Sequence, residues 1–117
     1  MDWIQGFQRA VDYIEEHITE PLDIGNIARV MNISGYYYQK LFNVLCGFGV
    51  GEYIRNRRLA LAGSELMATD ERVIDIALKN CYDTPEGFKP AITKYHGVPP
   101  SAVRRRSHDK TFAKHCV

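Results

Sequence analysis

The sequence predicts an all-α fold made of two helix-turn-helix subdomains joined by a long central helix. Three observations carry this. Apolar residues recur at helical spacing in one segment after another. Two of these segments, starting at Ser34 and Thr84, open on a capping residue and close on Gly47 and Gly97. The whole order of elements then occurs twice along the chain.

Trp3 to His17 reads as the first helix. Trp3, Phe7, Ala10, Val11, Ile14 and Ile18 form its apolar stripe, and Asp12, Glu15 and Glu16 face out. Glu20-Pro21 ends that unit, because a residue before proline is pushed out of helical geometry. In Asp23–Gly47, Ile24, Ile27, Ala28 and Met31 mark a short helix and Asn32-Ile33-Ser34 a turn. A second helix follows with Tyr38, Leu41, Phe42 and Leu45 on one stripe. Ser34 can accept from an unpaired N–H of the next turn, and Gly47 tolerates the left-handed conformation that closes a helix. Gly47 to Gly51 reads as a glycine-rich loop, and Glu52 to Ala68 as the long helix, with Tyr53, Ile54, Leu59, Leu61, Ala62, Leu66 and Met67 apolar. Its length, about 25 Å at 1.5 Å per residue, is enough to hold two small units apart.

Arg72 to Asn80 is a short helix with Val73, Ile76 and Ala77 inward, and Asn80 to Asp83 is a turn. Thr84 caps the next helix, with Pro85 at its first position and Phe88, Ala91, Ile92 and Tyr95 inward. Pro99-Pro100-Ser101 starts a last helix containing Arg104, Arg105 and Arg106. Ser107–Val117 lacks periodicity and reads as a tail or linker. The expected subdomains are 3–50 and 70–106, with a linking helix over 51–69 and the tail over 107–117.

The repeat is visible residue by residue. Ile27-Ala28 matches Ile76-Ala77 at an offset of 49, while Ser34/Thr84, Tyr38/Phe88, Phe42/Ile92, Gly47/Gly97 and Arg55/Arg105 match at 50. One residue is therefore inserted in the second turn. Two such units on one rigid helix could set two recognition helices in successive major grooves, about 34 Å apart.

Composition narrows the function. The chain has 117 residues, 45% hydrophobic and 25% charged, in the range of a soluble globular protein. No apolar run approaches the roughly 20 residues needed to cross a bilayer. The acidic, amphipathic start is not that of a secretory leader, so a cytoplasmic protein is expected. Cys46, Cys81 and Cys116 form no CxxC pair, and His108, His115 and Cys116 lack the spacing of a zinc module. No metal or cofactor is expected. Nor is an enzyme, since no nucleophile–base spacing or phosphate loop occurs and GFGVG lies between helices. The net charge of +1 favours neither side on nucleic acid, and only the stretch from Pro99 onward is clearly basic, with five basic residues against one acidic.

The chain resembles the DNA-binding domain of the AraC/XylS transcription regulators over almost all of residues 3–106. The residues that carry the resemblance are Ile14-Glu15-Glu16-His17, Leu22 through Ala28, Ser34-x-Tyr36-Tyr37, Leu41-Phe42 and Gly47. The run GEYIRNRRL over 51–59, Ile74-x-Ile76-Ala77 and His96-Gly97-x-x-Pro100-Ser101 continue it. The resemblance implies a seven-helix fold, sequence-specific promoter binding, and usually activation through contact with RNA polymerase. Members usually carry a further effector-binding or dimerisation domain, often before the DNA-binding unit and sometimes after it; Ser107–Val117 could lead into one on the C-terminal side, or could equally end a short, constitutive regulator.

The solvent face of the first recognition helix should hold Gly35, Tyr36, Gln39, Lys40 and Asn43, with Tyr37 at its edge. Gln39 can bind adenine bidentately, Lys40 can bind guanine acceptors or a phosphate, and Tyr36 can meet a thymine methyl or a phosphate. The resemblance points to Tyr36, Gln39 and Lys40 as well. Gly35 could permit close approach to phosphate, and Tyr38 is expected in the core with its hydroxyl reaching a surface partner. In the second recognition helix Lys89 and Thr93 are candidate contacts. Glu86 is repelled by phosphate unless it accepts from a cytosine amino group. Pro90 stands where the family commonly has arginine, and Cys81 where it has glycine. Arg55 could contact phosphate or form an internal salt bridge, and helix starts at Ser34, Thr84 and Ser101 could offer N–H groups to phosphates. The competing reading is a helical protein-interaction adaptor whose DNA surface has decayed.

Overall fold

A short polar side chain stands directly before four of the helices and accepts a backbone N–H of the first turn, which fixes where each begins. In the computed structural model, which describes residues 2–106, Asp2 caps α1 (Trp3–Glu16), Asp23 caps α2 (Ile24–Arg29), Ser34 caps α3 (Gly35–Cys46) and Thr84 caps α6 (Pro85–His96). Between them lie α4 (Val50–Ala68) and α5 (Val73–Lys79), and α7 (Pro100–Arg105) comes last. All-α order and seven helices are as expected. The tail assigned to 107–117 lies outside the described residues.

The helices form two compact units, one ending at Arg55 and one starting at Asn56. In the first, Ala10 and Ile14 of α1, Ile27 and Ala28 of α2, Tyr38 and Phe42 of α3, and Val50 and Ile54 of α4 are buried. Phe42 is the hub, with ring centroids of Phe7, Phe48, Tyr53 and Tyr38 between 5.6 and 6.1 Å away. Burial of such rings is the main source of stability for so small a core. Glu15, expected to face solvent, is partly buried and accepts the Tyr53 hydroxyl at 3.0 Å.

The second unit buries Leu59, Ala62 and Leu66 of α4 with Ile76, Ala77, Phe88, Ile92 and Val103. Asn80 is fully buried and donates its amide to Glu65 Oε1 at 3.0 Å and the Ile76 carbonyl at 2.9 Å. Lys79 bridges Glu65 and Glu71 at 2.5 and 2.6 Å, and these hydrogen bonds push its ammonium pKa above the ordinary lysine value.

The repeat extends to backbone conformation. Asn32 and Cys81 have left-handed φ of 58° and 69°, and the C-cap glycines Gly47 and Gly97 both have φ 81°. Non-glycine residues seldom adopt this region. The bonds Ile33 N–H to Ala28 O and Tyr82 N–H to Ala77 O match at offset 49, whereas Ser34 and Thr84 match at 50. Asp83 is therefore the inserted residue.

Several expectations need correction. The supposed loop over 47–51 is shorter, because Val50 and Gly51 already belong to α4 and Val50 is buried. Trp3 is 53% exposed, Leu45 46% and Tyr95 43%, and Met67 is also open. All four lie in the first or last turn of a helix, where the periodic stripe runs past the elements that cover it. The Tyr38 hydroxyl reaches no surface partner; it is buried and makes no hydrogen bond among the described residues. Burial, with Cys46 and Tyr53 adding to it, pushes the phenol pKa well above its ordinary value.

Candidate nucleic-acid interface

In the first unit the caps orient α3. Ser34 Oγ accepts from Tyr37 N–H at 3.1 Å, and Gly47 N–H closes the helix on the Asn43 carbonyl at 2.9 Å. With Tyr38 and Phe42 turned into the core, Tyr36, Tyr37, Gln39, Lys40 and Asn43 are left on the outer face. Tyr36 is 65% and Tyr37 67% exposed, and Gln39, Lys40 and Asn43 are also open. This face carries an amide, an ammonium and two phenols, and α3 contains no carboxylate. The Lys40 ammonium lies 4.9 Å from the Tyr36 ring centroid.

Gly35, at the start of α3, lies against α2. It is half-buried, and a Cβ there would approach Ile24 Cγ2 to 3.3 Å. Its missing side chain leaves room for the α2–α3 packing. Ser34 is exposed at the helix start, where N–H groups favour anions.

In the second unit Thr84 Oγ1 accepts from Gly87 N–H at 3.2 Å, and α6 runs unbroken through Pro90. Glu86, Gly87, Lys89, Pro90 and Thr93 are exposed. Glu86 stands in the first turn, where a carboxylate suits the helix dipole but repels phosphate. The Thr93 hydroxyl donates to the Lys89 carbonyl at 2.7 Å, so its proton is engaged within the helix. Sequence reasoning passed over Lys94, which is exposed one turn beyond Pro90; its distance from the helix start hid it.

The arginines divide sharply. Arg104 donates to the Leu66 carbonyl at 3.2 Å and to the Glu71 carbonyl, and Arg106 donates to the His96 carbonyl at 3.2 Å. They tie α7 and the residue after it to the second unit. Arg55 and Arg105 are exposed. Arg57 and Arg58 are half-buried and engaged with other groups. Ser101 does not start α7; Pro99 holds the cap position, without a side-chain cap bond. No cluster of metal-ligating side chains occurs among the described residues, and no helix is long and apolar enough to cross a membrane.

Two helix pairs, each meeting at a left-handed turn and each presenting a capped second helix, define a double helix-turn-helix DNA-binding protein. The family model described as a helix-turn-helix domain matches residues 27–106. Regulatory protein SoxS of Salmonella typhimurium is 35% identical over 102 residues, covering 87% of this chain and 95% of its own. HTH-type transcriptional regulator YbfP of Bacillus subtilis is 35% identical over 104 residues, covering 89% of this chain but 35% of its own length. Among solved structures, an AraC-type transcriptional regulator from Chromobacterium violaceum superposes with a TM-score of 0.82 at 23% identity, covering 88% of this chain and 92% of that one. The chain belongs to the AraC/XylS family of transcription regulators and contains its DNA-binding domain.

Proposed function

We propose that this chain binds promoter DNA in the cytoplasm as an activator, and that the first unit reads bases while the second mainly holds the phosphate backbone. The observation that carries this is the contrast between the outer faces of α3 and α6. On α3, Gln39, Lys40 and Asn43 are exposed on a helix that contains no carboxylate. On α6, the positions matching Tyr36 and Lys40 hold Glu86 and Pro90, and the Thr93 hydroxyl is bonded to its own helix. Gln39 suits adenine and Lys40 guanine, whereas Lys89 offers α6 a charge for phosphate. Arg55 adds a phosphate contact from α4, and Ser34 and Thr84 lie at the helix starts that approach the backbone.

RNA polymerase is the partner through which such a regulator would act, and an effector-binding domain is the further part that would give it a signal. Both belong to this proposal on the strength of family resemblance alone. Footprinting of the purified protein on genomic DNA tests the reading: a defined protected site is expected. In binding assays Gln39→Ala and Lys40→Ala should relax sequence preference, and Lys89→Ala should weaken all sequences alike. Equal effects from both helices would refute the division of labour. A protein-interaction adaptor would instead show no steeply salt-dependent binding to duplex DNA.

A further inference from the structure

Lys40 is the only cation on α3, and α3 has no carboxylate to hold it. Its ammonium instead sits 4.9 Å from the centroid of the Tyr36 ring, one helical turn back toward the start of α3. Long side chains on a helix lean toward its N-terminus, over the residue four positions earlier. A lysine without such a shelf samples many rotamers, because its flexible stem carries a compact, strongly hydrated charge. An aromatic face attracts a cation by its quadrupole and so favours the rotamers that lie over it.

The place where the ammonium is held matters. Tyr36 is the second residue of α3, and the first residues of a recognition helix are the ones that meet base edges. The ring therefore keeps the charge over the helix start, rather than out along the stem's full reach toward a phosphate. At matching positions in α6 the sequence has Glu86 and Pro90, so neither ring nor cation is present.

We propose that Tyr36 is a positioning residue for specificity: its ring holds Lys40 so that the ammonium reads the acceptors of a guanine in the major groove. This rests on the reading of α3 as the base-contacting helix. Tyr36 acts through Lys40, and the phenol hydroxyl has no part in the effect.

The test uses the full chain and a randomised duplex library, selected for bound sequences, with competition on single-base variants of the winner. Lys40→Met should erase the preference for guanine at one position. Tyr36→Leu should reduce preference at that same position by about three- to fivefold, in keeping with an exposed cation–π contact. Tyr36→Phe, which keeps the ring, should retain it. In the Lys40→Met background, Tyr36→Leu should have no further effect on that position. A change at a different base, additive losses in the double variant, or loss in Tyr36→Phe would overturn the proposal, since Tyr36 would then touch DNA itself. If wild type selects a sequence but Lys40→Met selects the same one, the guanine role of Lys40 is overturned. If wild type enriches no sequence at all, the reading of α3 fails and takes this proposal with it. Both residues are exposed, so a thermal melt of each variant should match wild type.

Discussion

The imidazole of His96 occupies the space that any side chain at position 63 would need. Gly63 is buried on α4, and a Cβ there would collide with the His96 ring, whose Nε2 is 2.9 Å from the Leu59 carbonyl. The ring donates to that carbonyl, which gives Nε2 the proton. Helix α4 accepts a glycine in its interior so that α6 can lie close.

Gly63→Ala should therefore destabilise the protein despite alanine's better helix propensity. The propensity gain is about 1 kcal/mol, while overpacking costs about 1–3 kcal/mol and displacing the ring also breaks its hydrogen bond. A net loss of about 1–2 kcal/mol is expected in urea unfolding. With His96→Ala already in place, the same change should become stabilising. An unchanged sign in that background would show that the ring is not the obstacle.

Neighbouring arginines should behave in opposite ways. Arg104→Met releases the Leu66 and Glu71 carbonyls and should cost about 1–3 kcal/mol of stability. Arg105→Ala removes an exposed charge and should leave the melting temperature unchanged. If Arg105 contacts phosphate, its loss lowers DNA affinity on all sequences and reduces the log–log salt slope by about one. Titration of DNA binding at several salt concentrations, beside a melt, separates the two roles.

Tyr38→Phe should be neutral or stabilising by about 1 kcal/mol, because it removes a buried hydroxyl that has no hydrogen-bond partner. Its pH dependence has a definite sign. The folded phenol is held neutral by burial, above its ordinary value of 10.0. Its contribution is complete below pH 10, where folded and unfolded tyrosine are both protonated. Above pH 10 the unfolded chain releases that proton first and stability falls. Lys79, also raised, loses its contribution over an alkaline range above 10.5 in both proteins. The Phe variant should lose less stability than wild type between pH 9 and 11, and parallel curves would contradict the burial effect.

Pro90→Ala should stabilise the second unit. Pro90 is exposed inside a continuous helix, so alanine restores a backbone N–H to the helix. The gain should approach, but not exceed, the roughly 3 kcal/mol cost of proline in an ideal helix interior. Urea unfolding reads it directly. A loss of stability would show that α6 needs the proline's restricted geometry.

Much of this was legible because the signals are local. Ser34, Thr84, Gly47 and Gly97 marked helix ends by their own chemistry, and Phe42 and Phe88 by their period. The repeat located even the extra turn residue, which the structure identifies as Asp83. What was not legible depends on residues distant in sequence. Nothing near Gly63 announces His96, and nothing near Arg104 announces that it binds carbonyls at 66 and 71 rather than an anion. Nor does anything near Gly35 announce that Ile24, across the turn, packs against it. Leu45 and Tyr95 show the limit of periodicity, since a stripe does not record where its cover ends.

The paired left-handed residues Asn32 and Cys81 have a consequence for how this surface could change. Each turn, with its caps and buried stripe, holds its second helix without using the outward side chains. Letters on that outer face can then be exchanged while the scaffold stays silent. Glu86 and Pro90 at the positions matching Tyr36 and Lys40 show it: two copies of one frame that share a grammar and carry different vocabularies.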